Sequence, residues 1–219
     1  LNADVASTSG HISVVAEDAI AVNADMTTAS SGTVYLTAEG SDITLLGTTT
    51  LRANDSSLTL HAHNDIVLSN LVASDVSLIA NSGSIVNNAG TTMNVTAANL
   101  RIEAYDMIGA SDRHLSTTVT TLSALSVGTD SAGIYVTEFD ALTIDSVAVS
   151  VTQFNADAST TQIDDAAQSD VETRGNNGHV VLRTLGGNLV VNEGDADDSG
   201  VLAHGSGNIL LDVNGVGSA

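Results

Sequence analysis

A short apolar word, large-x-large-x-Ala, recurs through the first half of the chain. It reads Ile12-x-Val14-x-Ala16, Val34-x-Leu36-x-Ala38, Leu58-x-Leu60-x-Ala62, Val76-x-Leu78-x-Ala80 and Leu100-x-Ile102-x-Ala104. The words start 18 to 24 residues apart, and a recurrence of that length is the mark of a repeat architecture. Two further alternating strings follow each word, as in Ile43-x-Leu45-x-Gly47 and Leu51-x-Ala53, or Ile85 and Met93-x-Val95-x-Ala97. Alternation with period two puts one buried face on a strand. Three short strands per repeat, each followed by a bend rich in Gly, Asn, Asp or Ser, predict one coil of a three-sided parallel β-helix. The small third residue of the word suits a strand running into a corner of a narrow triangular core.

The pattern loosens through Leu125-x-Val127, Ile134-x-Val136, Leu142-x-Ile144 and Val147-x-Val149-x-Val151. It then stops at a polar, acidic stretch, with some helical character between Asp164 and Arg174, and resumes at Val180-x-Leu182 and Leu189-x-Val191. The expected organisation is one domain: coils over 1–151, an insertion or loop projecting from a corner over 152–178, and further coils over 179–219. Both ends of the sequence read as strand, and Asn208 to Asn214 reads as a coil begun, so an excerpt from a longer protein is expected.

Composition narrows the core. Aromatic residues are 2% of the chain, so the buried layers must be Val, Ile, Leu and Ala. Pro is absent, as expected where nearly every backbone N–H donates to a neighbouring coil. Cys is absent too, and disulfides are therefore excluded. Five Arg and no Lys against 26 acidic residues give a formal charge of −21, which argues against nucleic acid or an anionic bilayer as partner. No apolar run is long enough to span a membrane as a helix.

The phrases Asp42 to Leu45, Ser57 to Leu60, Val76 to Ala80 and Asn99 to Ala104 resemble the repetitive stalks of very large bacterial surface adhesins. The nearest likeness is the filamentous-haemagglutinin-like right-handed parallel β-helix. The resemblance covers most of the chain outside the insertion. It implies an all-β, three-sided right-handed parallel β-helix, a β-solenoid of about seven to eight coils of roughly 18 to 25 residues. It also implies an extracellular, cell-surface protein used as a stalk or spacer in attachment. Expected partners are like segments of the same protein, stacked end to end, and a host, cell-surface or polysaccharide ligand. No active site is expected.

Three chemistries compete with that reading. Parallel β-helices also carry polysaccharide lyases and hydrolases, and the lyases resemble one another in using calcium-bound carboxylates with a Lys or Arg base. Here the Arg residues are scattered, with Arg52 and Arg101 placed to share related faces. The segment Asp195-Ala196-Asp197-Asp198-Ser199-Gly200 offers oxygen ligands at positions one, three and five with Gly at six, the start of a calcium loop. Asp195, Asp197 and Ser199 are its candidate ligands, and a solvated acidic turn is the competing reading. His61-x-His63 puts two imidazoles on one outward face, where surface histidines are expected rather than a zinc site. Threonine pairs at 27–28, 48–50, 91–92 and 117–118 would, if stacked, resemble the flat array of an ice-binding protein.

Overall fold

The computed structural model describes residues 1–88, 93–128, 133–175 and 177–214. Among the described residues the regular elements are all strands, with no helix. Parallel pairing dominates, and it follows the recurring words in register.

The first ladder joins the words themselves. Ile12 pairs with Val34, Val34 with Leu58, Leu58 with Val76, Val76 with Leu100, and Leu100 with Leu122. The alanines close the same strands, from Ala16 through Ala38, Ala62, Ala80 and Ala104 to Ser126. The ladder carries on around the corner. Glu39 N donates to Ala16 O, His63 N to Ala38 O, Asn81 N to Ala62 O and Tyr105 N to Ala80 O, each at 2.9–3.1 Å. A backbone held that tightly against its neighbour while turning leaves room for a methyl group and little more.

A second ladder is built almost entirely of isoleucine: Ile20, Ile43, Ile66, Ile85, Ile108, Ile134, Val180 and Ile209. A third runs Val5, Met26, Leu51, Leu71, Val95 and Thr117. The inward residues of the three ladders form one continuous apolar core, most of it with no solvent exposure. Identical or similar side chains stack at the spacing between strands, about 4.8 Å, which is why small variation in word composition suffices.

Part of the acidity works in these ladders. Asp4 Oδ1 accepts from Asp25 N, Asp25 Oδ1 from Thr50 N, Asp42 Oδ1 from Asp65 N and Asp65 Oδ1 from Ser84 N, at 2.7–3.1 Å. Each carboxylate holds a backbone amide of the next pass of the chain at a bend. The same bends demand glycine. A Cβ on Gly83 would lie 2.6 Å from the Asn64 carbonyl carbon and 2.8 Å from Asp65 N. Backbone atoms cannot yield as a side chain would, so Gly83→Ala is expected to destabilise by about 1–3 kcal/mol, read as a shift in the urea midpoint.

Two expectations need correction. The first ladder continues through Leu122-x-Ala124-x-Ser126, not Leu125-x-Val127; Leu125 lies on the other side of its strand. Val147-x-Val149-x-Val151 is not a ladder strand at all. Val147–Phe154 pairs antiparallel with Thr160–Gln168, a strand where helical character was expected. β-Branched residues at Val147, Val149, Val151, Thr160, Thr161 and Ile163 favour that hairpin. Chain pairing with the parallel ladders runs to Ile144 and returns at Val171–Thr173, so the interruption begins earlier and ends earlier than 152–178.

Candidate functional site

The hairpin does not project; it lies across the outer surface of the first ladder. Its strand Val147–Phe154 alternates, with Val147, Val149 and Val151 buried and Ala148 and Ser150 exposed. The face below presents one outward column, Ser13, Tyr35, Thr59, Ser77, Arg101 and Ser123, matched in register. Five of these six are buried. An eight-residue strand spans about 27 Å, and the five steps from Ser13 to Ser123 span about 24 Å, so the strand is long enough to cross every one.

Hydroxyl groups hold it there. Thr33 Oγ1 donates to Thr152 O and accepts from Thr152 N, both at 3.0 Å, and Phe154 N donates to Ser13 Oγ at 2.8 Å. At the far end, Arg101 Nε donates to Ala166 O at 3.1 Å, while Gln168 Nε2 donates to Ile102 O and Ser123 Oγ at 2.9 and 2.7 Å. At the tip, Ser159 donates to Asp157 through both N and Oγ, and these bonds hold the Asp157 carboxyl below the usual range. Burial pushes the Tyr35 phenol up, with the nearby Asp165 and Glu39 charges adding to the shift against a bond to Thr37.

A cleft of about 420 Å³ opens at the foot of the hairpin, lined by Arg101, Glu103, Gln168, Asp170, Glu172 and Arg174 among others. Both arginines are paired: Arg101 Nη2 with Glu103 Oε2 at 2.7 Å, and Arg174 Nε with Glu172 Oε2 at 2.8 Å. Beside it, Asp170, Asp195 and Asp197 each bring a carboxylate oxygen within 4.8 Å of the others. Asp170 is buried, accepts from Ser169 Oγ at 2.9 Å and from Gly194 N at 3.4 Å, and has its carboxyl pushed up first by burial, then by the two neighbouring carboxylates. Such a trio could take an oxygen-seeking divalent cation.

The structure thus brings Asp195 and Asp197 together and adds Asp170. Ser199 is used differently: its N and Oγ both donate to Asp197 Oδ1, at 2.8 and 2.9 Å, closing a local turn. Asp170 escaped sequence reasoning because no motif links it to Asp195; the available signal was its separation of about one repeat. His61 Nε2 meets Asn81 Nδ2 at 2.9 Å and His63 lies exposed at the following bend. Arg52 and Arg101 belong to different ladders, not to related faces. The threonines do not form an array: Thr27 is followed along its column by Arg52, Val72, Thr96 and Thr118, and Thr28 points inward. Residues 91–92 lie outside the described residues.

No protein-family description matches this chain, and neither a curated protein nor a solved structure matches it.

Proposed function

We propose that the chain is a non-catalytic structural or adhesive segment of a large extracellular surface or filament protein, acting as stalk or spacer. Its architecture in this reading is a right-handed, three-sided β-solenoid of about seven to eight coils. One observation carries it: from Ile12 to Ser126 the recurring words stay in parallel register from each pass of the chain to the next, which is growth by repetition along one direction. A like segment is the expected partner for the apolar side chains of Ile209, Leu211 and Val213, which are 41–48% exposed. The acidic surface suits a protein that meets salt and divalent cations outside the cell, with calcium the ion for Asp170, Asp195 and Asp197. Electron microscopy of the intact source protein tests the reading: thin rods or fibres support it, and a compact particle capped at both ends sinks it.

The cleft favours one other reading. Carboxylates of the Asp170 trio stand beside a hollow lined by Arg101 and Arg174, the groups a calcium-dependent polysaccharide lyase would use. Release of unsaturated uronides from acidic polysaccharides in calcium, abolished by Asp170→Asn, would establish that activity in place of the stalk.

A further inference from the structure

We infer that the hairpin Val147–Gln168 is a strap that lifts from the stacked face as a unit while the parallel ladders stay intact. The first reason is how the ladder is completed at its root. Asp145 N donates to Leu122 O and Ala124 N donates to Asp170 O, at 3.3 and 2.8 Å. The residues flanking the hairpin therefore pair with the strand from Thr121 to Ser126 without any part of the hairpin. Among the described residues, the backbone-to-backbone hydrogen bonds of 147–168 run within the hairpin and none reaches a ladder strand. Lifting it breaks no ladder bond.

The contact it would break is of a different kind from the core. Three valines are its buried apolar groups, and its remaining anchors are side-chain hydrogen bonds that involve Ser13, Thr33, Thr59, Arg101 and Gln168. That contact is also incompletely paired. Ser77 Oγ, Arg101 Nη1 and Gln168 Oε1 are buried without a hydrogen-bond partner. A buried polar atom with no partner favours any state that lets water reach it. Opening would hydrate all three together and uncover Tyr35 and Arg101. Segments with few apolar contacts and hydrogen bonds separable from the rest are those that open locally, below the free energy of global unfolding.

Hydrogen exchange by mass spectrometry on the unmodified chain tests this. Amides of 147–168 are expected to exchange together, on the order of 100-fold faster than those of 122–126 and 134–138. Nitration of Tyr35 should follow the same opening rate. Val149→Asp should raise both hairpin exchange and Tyr35 nitration by about tenfold or more, with ladder exchange unchanged. Thr33→Val, which removes the hydroxyl that clamps Thr152 and also meets His11 Nδ1 at 2.9 Å, should act in the same direction and to a smaller extent, and it serves if Val149→Asp fails to fold. Hairpin amides that exchange at the ladder rate, or that fray gradually from Asp157 toward the root, overturn the proposal. So does a Thr33→Val variant whose ladders and hairpin loosen equally.

Discussion

Replacing Leu78 by alanine is expected to cost about 3 kcal/mol and to lower the melting temperature by about 9 °C. Leu78 has no solvent exposure. It stacks between Leu60 on one side and Ile102 on the other, in a column that begins at Val14 and Leu36. Removing three carbons there forfeits their transfer from water and leaves a hole. The neighbouring strands cannot close it, because each is bonded along its length to the next. A sheet layer one strand thick also offers no second shell of side chains to move inward. The outward control is Val15, 51% exposed on its strand, where alanine should change stability by less than about 0.5 kcal/mol. Urea denaturation with equal slopes for both variants checks the difference, and equal midpoints for the two would contradict the assigned faces.

The second large effect belongs to a buried acid. Glu138 has no solvent exposure, yet both carboxylate oxygens are engaged: Oε2 accepts from Thr117 Oγ1 at 2.8 Å and Val119 N at 3.1 Å, and Oε1 from Asp140 N at 3.1 Å. It pairs with Thr117 of the third ladder, and its side chain satisfies the Val119 amide, which lies beyond the last residue of that pairing. Glu138→Ala should therefore cost about 2–3 kcal/mol by stranding buried donors.

Its titration gives a sign as well. Burial raises the Glu138 carboxyl above its ordinary 4.5, against the lowering effect of those hydrogen bonds. Asp170 is raised above 3.8 for the same leading reason. A raised acid binds its proton more readily folded than unfolded, so its contribution to stability grows as pH falls through the folded value toward the unfolded one. Asp145 and Asp157 are held low by hydrogen bonds from Asn192 and Ser159, and their contribution is lost only as pH falls below about 3.8. The melting temperature should thus rise as pH is lowered toward the ordinary Glu value of 4.5 and fall again under stronger acid. The relief of repulsion among 26 acidic residues adds to the rise. Glu138→Gln should flatten its own share of that rise, and a melting temperature that drops steadily from pH 7 downward would refute the assignment.

The ladders were legible in the sequence because every level of the pattern agreed. Ile12, Val34, Leu58, Val76 and Leu100 are not merely similar; they are the residues that pair. Val147 to Val151 has the same alternation, and there the reading failed. Period two reports that one face of a strand is buried, but not which strand lies beside it or against which surface it packs. The inward valines found an outer face instead of the core. Tyr35 and Arg101 alternate away from the core on their strands, and the hairpin that covers them is distant in sequence, 65 residues for the Arg101 to Ala166 bond. Asp170 joins Asp195 only through stacking, a relation that repeat length encodes and local motif does not.

Register is the claim on which the rest depends, and paired cysteines test it directly in a chain that has none of its own. Val67 is directly beside Val86 in the second ladder, while Thr44 is one strand farther away, beside Val67. All three lie on the outward side of their strands. A short bifunctional thiol reagent should link Val67→Cys/Val86→Cys rapidly and Thr44→Cys/Val86→Cys hardly at all, since those two are about 10 Å apart across two strand spacings. Linking of both pairs at equal rates, or of the Thr44 pair alone, would contradict the stacked parallel arrangement.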